Sequence, residues 1–299
     1  SVWPDDPLGG GIDVAKYRFQ WNFPIFFSPH NPKKLYAGGN HLFVTENEGA
    51  SWTALGGDLT TNDKKRQASS GGPITKDNTG VEVYCTVFTG TESSLEKDLL
   101  WTGSDDGLIH VSRDGGKNWD NVTPAAAGQW MMWNCVETDP FKKGKAYFVG
   151  TKYKSDDFAP YLFKTEDYGK TWTKITNGIN PLHFTRALRA DRKRPGLLYA
   201  GTEYGMYISY DDGANWKPFQ LNLPMVPITD LTIKENDLIV ATQGRSFWVL
   251  DDLTVVQQKD NSILNKNLHA FSVNDAYRFD GFQNPKPVNA GMNPPNGSV

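Results

Sequence analysis

The sequence predicts an all-β fold made of repeated four-stranded units, and three observations lead to this expectation. An eight-residue pattern recurs four times, short apolar runs of strand type precede each copy, and the composition suits strands joined by tight turns. The 299 residues are 38% hydrophobic and 13% aromatic, with 29 glycines and 18 prolines. This balance is typical of a globular chain of many short strands and excludes intrinsic disorder.

The repeated octamer follows the pattern S/T-x-D/N-x-G-x-S/T/N-W. Its four closing tryptophans are separated by 67, 53 and 44 residues, so we infer a unit of about 45 residues with variable insertions. Asp or Asn can accept bonds from backbone N–H groups in a turn, glycine can take a positive φ, and tryptophan can begin the next strand. We therefore expect a structural role for Asn47, Gly49, Trp52, Asp114, Gly116, Trp119, Asp167, Gly169, Trp172, Asp211, Gly213 and Trp216.

Three strand-like runs precede each octamer, and the segment that begins with its tryptophan supplies a fourth. A fifth copy of the strand pattern follows at 238–250, although residues 251–254 have lost the glycine and tryptophan of the octamer. Units of four antiparallel strands with this period are the signature of β-propeller blades. Residues 1–258 are expected to hold five blades, at 23–59, 81–123, 131–177, 183–221 and 226–258, and residues 259–299 a tail or linker.

Charge and residue spacing exclude several functional classes. The net charge is −3, and the longest basic run is KKR at 64–66, which leaves no electrostatic footprint for nucleic acid. No apolar stretch is long enough to span a membrane. Two cysteines and five histidines show no metal-ligand spacing, so we expect neither a metal nor a cofactor. The long polar insertion at 60–80 is of a kind that is usually functional or disordered.

The octamers resemble the Asp-box of BNR-repeat propellers, which sialidases, xyloglucan-active glycoside hydrolases and sortilin-like receptors share. Four further segments resemble large secreted bacterial proteins with sortilin-type repeats, which are often labelled glycosyl hydrolases. These segments are 17–24 (YRFQWNFP), 70–77 (SGGPITKD), 103–107 (GSDDG) and 242–248 (TQGRSFW).

This resemblance implies a bacterial, extracytoplasmic protein in which the chain is part of a larger propeller. The remainder of a longer polypeptide, or a partner chain, would complete that propeller. The segment 293–297 resembles a stretch that leads into a further β domain. In such propellers the Asp-box lies at the blade periphery, so it implies nothing catalytic.

The candidate ligand site lies where the innermost strands of the blades begin. Alignment of the blades puts Asn134, Arg186 and Asp230 at similar positions there, with Arg245 expected near Glu203. This charged cluster can bind a carboxylate or a sugar, or it can be a network of salt bridges that ties the blades together. In the first case Arg245, presented from a turn that contains glycine, suits bidentate capture of a carboxylate.

Two functions from different classes remain open. The first is a non-catalytic recognition or assembly module that binds a peptide or glycan at the propeller axis. The second is a sialidase-like or xyloglucanase-like glycoside hydrolase, which needs two carboxylates that flank one bond. Paired aspartates exist, but most lie in turns, and Arg186, Arg189 and Arg245 do not reproduce the spacing of the sialidase arginines. The pairs are Asp105-Asp106, Asp156-Asp157, Asp211-Asp212 and Asp251-Asp252.

Exposed aromatic side chains add a further ambiguity. They can stack on sugar rings or pack between blades. The four that raise this question are Trp130, Trp133, Tyr153 and Phe158.

Overall fold

The computed structural model describes residues 12, 15–69, 71, 74, 80–260, 262–263, 266–273 and 275. Its contacts divide the chain into two units, Ser1–Leu253 and Thr254–Val299. The first unit holds the five sheets of the described residues, and the second begins with a short helix, α1 (Thr254–Gln258). No helix in the described part of the chain is long and apolar enough to cross a membrane.

The sheets are antiparallel, and in each of them the strands follow one another in chain order. This order arises because short turns join each strand to the next. The first two sheets contain β1 (Ile25–Phe27), β2 (Leu35–Gly38), β3 (Leu42–Thr45), β4 (Thr53–Leu55), β5 (Val87–Glu92), β6 (Leu100–Ser104), β7 (Ile109–Ser112) and β8 (Asp120–Asn121). The third and fourth contain β9 (Met132–Thr138), β10 (Ala146–Lys152), β11 (Asp157–Thr165), β12 (Thr173–Lys174), β13 (Thr185–Ala190), β14 (Leu198–Thr202), β15 (Gly205–Ser209) and β16 (Lys217–Pro218). The fifth contains β17 (Ile228–Lys234), β18 (Asp237–Thr242) and β19 (Phe247–Leu250).

The fifth sheet corrects the expectation that every unit has four strands. It has three, and the chain passes from β19 through the buried Leu253 into α1. Without the glycine and tryptophan of the octamer, residues 251–254 do not form the turn that returns the chain to a fourth strand. The sequence showed no helical period, and five residues are too few to reveal one.

The hydrophobic core lies between consecutive sheets. Trp101 of the second sheet packs with Trp133 and Phe148 of the third, and both tryptophans are fully buried. Tyr147 of the third sheet and Leu188 of the fourth belong to the next cluster. Trp133 therefore packs in the core, whereas Trp130 is 48% exposed. Each sheet depends on its neighbours for burial, as expected of a repeat architecture.

The register places two kinds of connection at opposite ends of each sheet. The start of each first strand pairs with the end of the second, as Val87 with Ser104 and Ile228 with Thr242. Connections between the second and third strands therefore lie beside the first-strand starts, and we call this the strand-start end. The octamers join the third and fourth strands, so they lie at the other end, the octamer end.

Candidate functional site

At the octamer end, all four octamers make the same hydrogen bonds. The Asp or Asn Oδ1 accepts the backbone N–H four residues later at 2.8–2.9 Å. The preceding Ser or Thr hydroxyl donates to that oxygen and accepts the glycine N–H. These bonds satisfy the polar groups of a tight turn within the turn itself.

Three of the octamer tryptophans also reach the preceding sheet. Trp119 donates from Nε1 to the Leu55 carbonyl at 3.2 Å, and Trp172 and Trp216 donate to Val122 and Ile175 at 2.7 Å. Trp52, in the first sheet, has no hydrogen-bond partner for its indole among the described residues. The octamer end therefore ties consecutive sheets together.

The first strands of all five sheets line one cleft of about 780 Å³, which we call the axial cleft. Four of these strands carry a bulge near their start, where the pairing register skips one residue. A bulge redirects the side chain of the extra residue. The skipped residues Phe88, Asn134, Arg186 and Thr229 all line the axial cleft.

This register differs by one residue from the alignment expected at β17. Thr229 is the skipped residue there, and Asp230 is the next one along the strand. A bulge leaves no trace in the alternation of apolar residues, so sequence alignment could not locate it. Asp230 nevertheless lines the axial cleft together with Asn134 and Arg186.

The expected charged residues form two separate groups. Arg186 binds Glu203 at 2.6 Å within its own sheet, rather than Asp230. Arg189 binds Asp230 of the fifth sheet at 2.8 Å and lies 3.8 Å from Glu137 of the third. Burial raises the pKa of Glu137, and the Arg189 guanidinium opposes that shift. The network that links sheets is therefore centred on Arg189, which sequence reasoning considered only as a sialidase arginine.

Arg245 stands apart from this group. It is exposed, does not line the axial cleft, and its side chain has no partner among the described residues. Its carbonyl accepts a hydrogen bond from the Trp248 indole at 2.9 Å. The structure thus brings three of the five candidates into one cleft, with Glu203 bound to one of them.

A second cavity, of about 640 Å³, opens at the strand-start end of the second and third sheets. We call it the aromatic cup. Its wall contains Tyr84 and Trp130, and the Arg66 guanidinium carbon lies 3.5 Å from the centre of the Trp130 ring. Gln20, Met132, Tyr153 and Lys154 line both cavities, so the cup borders the axial cleft.

Asp105 lines the cup without being free to react. Its two carboxylate oxygens accept the Thr86 backbone N–H and hydroxyl, each at 2.8 Å. Burial raises the pKa of Asp105 to about 7. The neighbouring Asp106 accepts the N–H and hydroxyl of Thr61.

The sequence did not predict the aromatic cup, although two of the four segments that carry the family resemblance contribute residues to it. The segment 17–24 supplies Gln20, and the segment 103–107 supplies Asp105. Arg18, beside Gln20, binds Asp58 at 2.7 Å and the Cys85 carbonyl at 3.1 Å, which fixes the first segment against the residues that follow β4 and those that precede β5. Most of 70–77, and all of 293–297, lie outside the described residues. Among the described residues, no group of His, Cys, Asp and Glu is arranged to hold a metal.

Comparison with known proteins assigns the family. The model of the Sortilin-Vps10 family, described as sortilin, neurotensin receptor 3, matches residues 107–277. The chain belongs to the Sortilin-Vps10 family. A fungal relative, the vacuolar protein sorting/targeting protein 10 of Laccaria bicolor, is 30% identical over 118 residues. This match covers 38% of the present chain and 7% of that protein, so the chain spans a small part of its relative.

Solved structures confirm the predicted β-propeller fold. The GH74 xyloglucanase from Xanthomonas campestris superposes with a TM-score of 0.57 at 16% identity, over 77% of this Sortilin-Vps10 chain and 36% of the enzyme. The β-propeller domain of Cps50 (Swd1) from Myceliophteria thermophila gives 0.54 at 14% identity, over 79% and 67%. These identities show the fold alone. The five sheets are therefore the blades of a partial propeller.

Proposed function

We propose that this chain is a non-catalytic recognition module that binds a peptide in its axial cleft. The observation that carries the proposal is the convergence of five first strands on one cleft, with bulges that turn Phe88, Asn134, Arg186 and Thr229 toward it. Aromatic, amide, hydroxyl and guanidinium groups together suit the mixed surface of an extended polypeptide.

The names of the relatives favour a peptide over a glycan. The family description names a receptor, and the curated relative is named for the sorting or targeting of vacuolar proteins. A receptor and a sorting protein are named for the molecules that they recognise, which favours recognition over catalysis. The xyloglucanase likeness shows only a shared fold, and fold alone does not carry function.

The aspartate pairs offer little support for the hydrolase alternative. In each pair at least one carboxylate is bound by other side chains or backbone groups of the protein. The partners in three of the pairs are as follows. Tyr161 binds Asp157, Asn236 binds Asp252, and Lys145 and Lys164 bind Asp212. A retaining or inverting hydrolase needs two carboxyls that face a shared substrate bond.

The first sheet supports completion of the propeller by further blades of a longer polypeptide. In the other octamers the glycine lies against the preceding sheet, as Gly116 against Leu55 and Gly213 against Ile175, whereas the atoms nearest to Gly49 belong to Trp52 of its own octamer. An equivalent blade before the first sheet would supply the missing carbonyl for the Trp52 indole. We also propose an extracytoplasmic location, by analogy with the secreted proteins that the chain resembles, and cell fractionation tests it.

A peptide array with calorimetry on its hits tests the function. Arg186→Gln and Asn134→Ala should each weaken the best peptide about tenfold, since each removes a polar group from the cleft. Lys217→Gln is the control, because Lys217 is exposed on the outer strand β16. Reducing-sugar release from xyloglucan, or failure of every array peptide to bind, would reject the proposal.

A further inference from the structure

The aromatic cup and the axial cleft differ in how their cations are engaged. In the axial cleft, Arg186 and Arg189 already hold carboxylates of the protein at 2.6 and 2.8 Å. A ligand carboxylate there would have to displace Glu203 or Asp230.

The cup instead contains two lysines whose ammonium groups form no ion pair with a carboxylate of the described residues. Lys152 and Lys154 both line it, on either side of Tyr153. Lys154 is exposed at the rim, and Lys152 packs its ammonium group 5.0 Å from the Tyr161 ring centre. Two carboxyl groups also line the cup, Asp105, whose oxygens accept bonds from Thr86, and Glu82, which is exposed.

Another part of the cup wall is aromatic, and its side chains hold one another in place. Trp130 and Tyr84 have ring centres 6.3 Å apart. Arg66 stacks on Trp130 and is held there by Asp63, whose carboxylate lies 3.1 Å from Nε. A stacked guanidinium of this kind stiffens an aromatic wall. The methylene stem of an acidic side chain fits against such a wall while its carboxylate reaches the lysines.

We propose that the aromatic cup binds the carboxylate of a glutamate or aspartate side chain in a peptide whose backbone continues into the axial cleft. The inference rests on the proposed function and adds the chemical class of the ligand, an acidic peptide. The two cavities border each other at Gln20, Met132, Tyr153 and Lys154, and the backbone would pass over these residues from one cavity to the other.

Fluorescence anisotropy with defined probes tests the inference. The probes are a labelled decapeptide of alternating serine and glutamate, its glutamine counterpart, and labelled tri-galacturonate as an acidic sugar. The glutamate peptide should bind at least about tenfold more tightly than the glutamine peptide, the range for a charge-assisted hydrogen bond. The double variant Lys152→Gln, Lys154→Gln should abolish this preference, and Lys217→Gln should preserve it.

The outcomes separate this inference from the proposed function. Equal binding of the two peptides, or a glutamate preference that survives in the double variant, overturns the cup assignment. Preference for tri-galacturonate over the glutamate peptide also overturns it and indicates an acidic glycan. If array peptides bind through the axial cleft in any of these cases, the proposed function stands. An unchanged melting temperature of the double variant shows that lost binding does not reflect unfolding.

Discussion

The octamer end and the strand-start end of the blades have different roles. At the octamer end, four copies of one pattern make the same bonds, and three tryptophans reach the preceding sheet in the same way. At the strand-start end, equivalent positions carry Phe88, Asn134, Arg186 and Thr229, which share neither charge nor shape. Repetition at one end holds the blades together, and variation at the other builds cavities, as expected where function is grafted on a repeated scaffold.

The largest effect should come from a tryptophan at the octamer end. Trp216 is 3% exposed and hydrogen-bonded to the preceding sheet, so Trp216→Ala should lower the free energy of unfolding by about 3–5 kcal/mol. Trp52→Ala, without that partner, should cost about 1 kcal/mol or less. Urea unfolding measures both. Equal losses of unfolding free energy in the two variants would show that contact with the preceding sheet does not determine how much these tryptophans stabilise the protein.

The second-largest loss of stability should come from removal of the Arg189 charge, which links the first strands of neighbouring sheets. Arg189→Ala removes the nearest cation from the half-buried Glu137 and leaves only the charge of Arg192 to stabilise that carboxylate, so we expect a loss of about 1–3 kcal/mol in the free energy of unfolding. Arg245→Ala, at an exposed side chain with no partner among the described residues, should change the free energy of unfolding by less than about 0.5 kcal/mol. Thermal unfolding of both variants makes the comparison. A small effect of Arg189→Ala would mean that the strand-start end contributes little to blade cohesion.

Removal of a single octamer carboxylate should lower the stability by a smaller amount. Asp211 accepts bonds from Ser209 and from the backbone and side chain of Asn215, and Asp211→Ala should cost about 1–2 kcal/mol. Peptide affinity in the folded fraction should not change, because this turn lies at the octamer end. Asp120→Ala, at an exposed residue, is the stability control. Loss of binding at an unchanged melting temperature would contradict a structural role for the octamer.

The pH dependence of Asp211 follows from the same bonds. Burial acts to raise its pKa, but the bonds from Asn215 and Ser209 outweigh burial and lower the pKa overall. A lowered folded-state pKa contributes stability above the unfolded value of about 4, and this contribution is lost as the pH falls. The difference between Asp211→Ala and the parent protein should therefore shrink below pH 4.

The opposite pH dependence is expected at the strand-start end. Burial raises the pKa of Asp105 from 3.8 to about 7, so the folded state holds a proton that the unfolded state has released between these values. Stability from this group is therefore lost as the pH rises from about 4 to 7. In Asp105→Asn the amide oxygen can accept the Thr86 N–H and the NH2 group can donate to the Thr86 hydroxyl oxygen, so this variant should raise the melting temperature at pH 8 by at least about 2 °C, but not at pH 4. Equal changes at the two pH values would disprove this ionisation account.

Residues 103–107 illustrate how far the sequence leads toward the site. The segment resembles part of large secreted bacterial proteins, and its sequence predicts a turn at the two aspartates. What it did not indicate is that Asp105 would line a cavity with Trp130 and Arg66. Those side chains come from distant parts of the chain, and no local pattern joins them.

The sequence by itself determined the repeated turn, the number of sheets and their all-β character, because these depend on local residue patterns that recur along the chain. It also indicated which first strands carry polar side chains. Only the tertiary structure decided that β19 is followed by a helix, that bulges select the residues at the axis, and that Arg189 rather than Arg186 meets Asp230, 41 residues away. Such choices depend on the packing of neighbouring blades, and a one-residue shift in register changes the partner of every side chain.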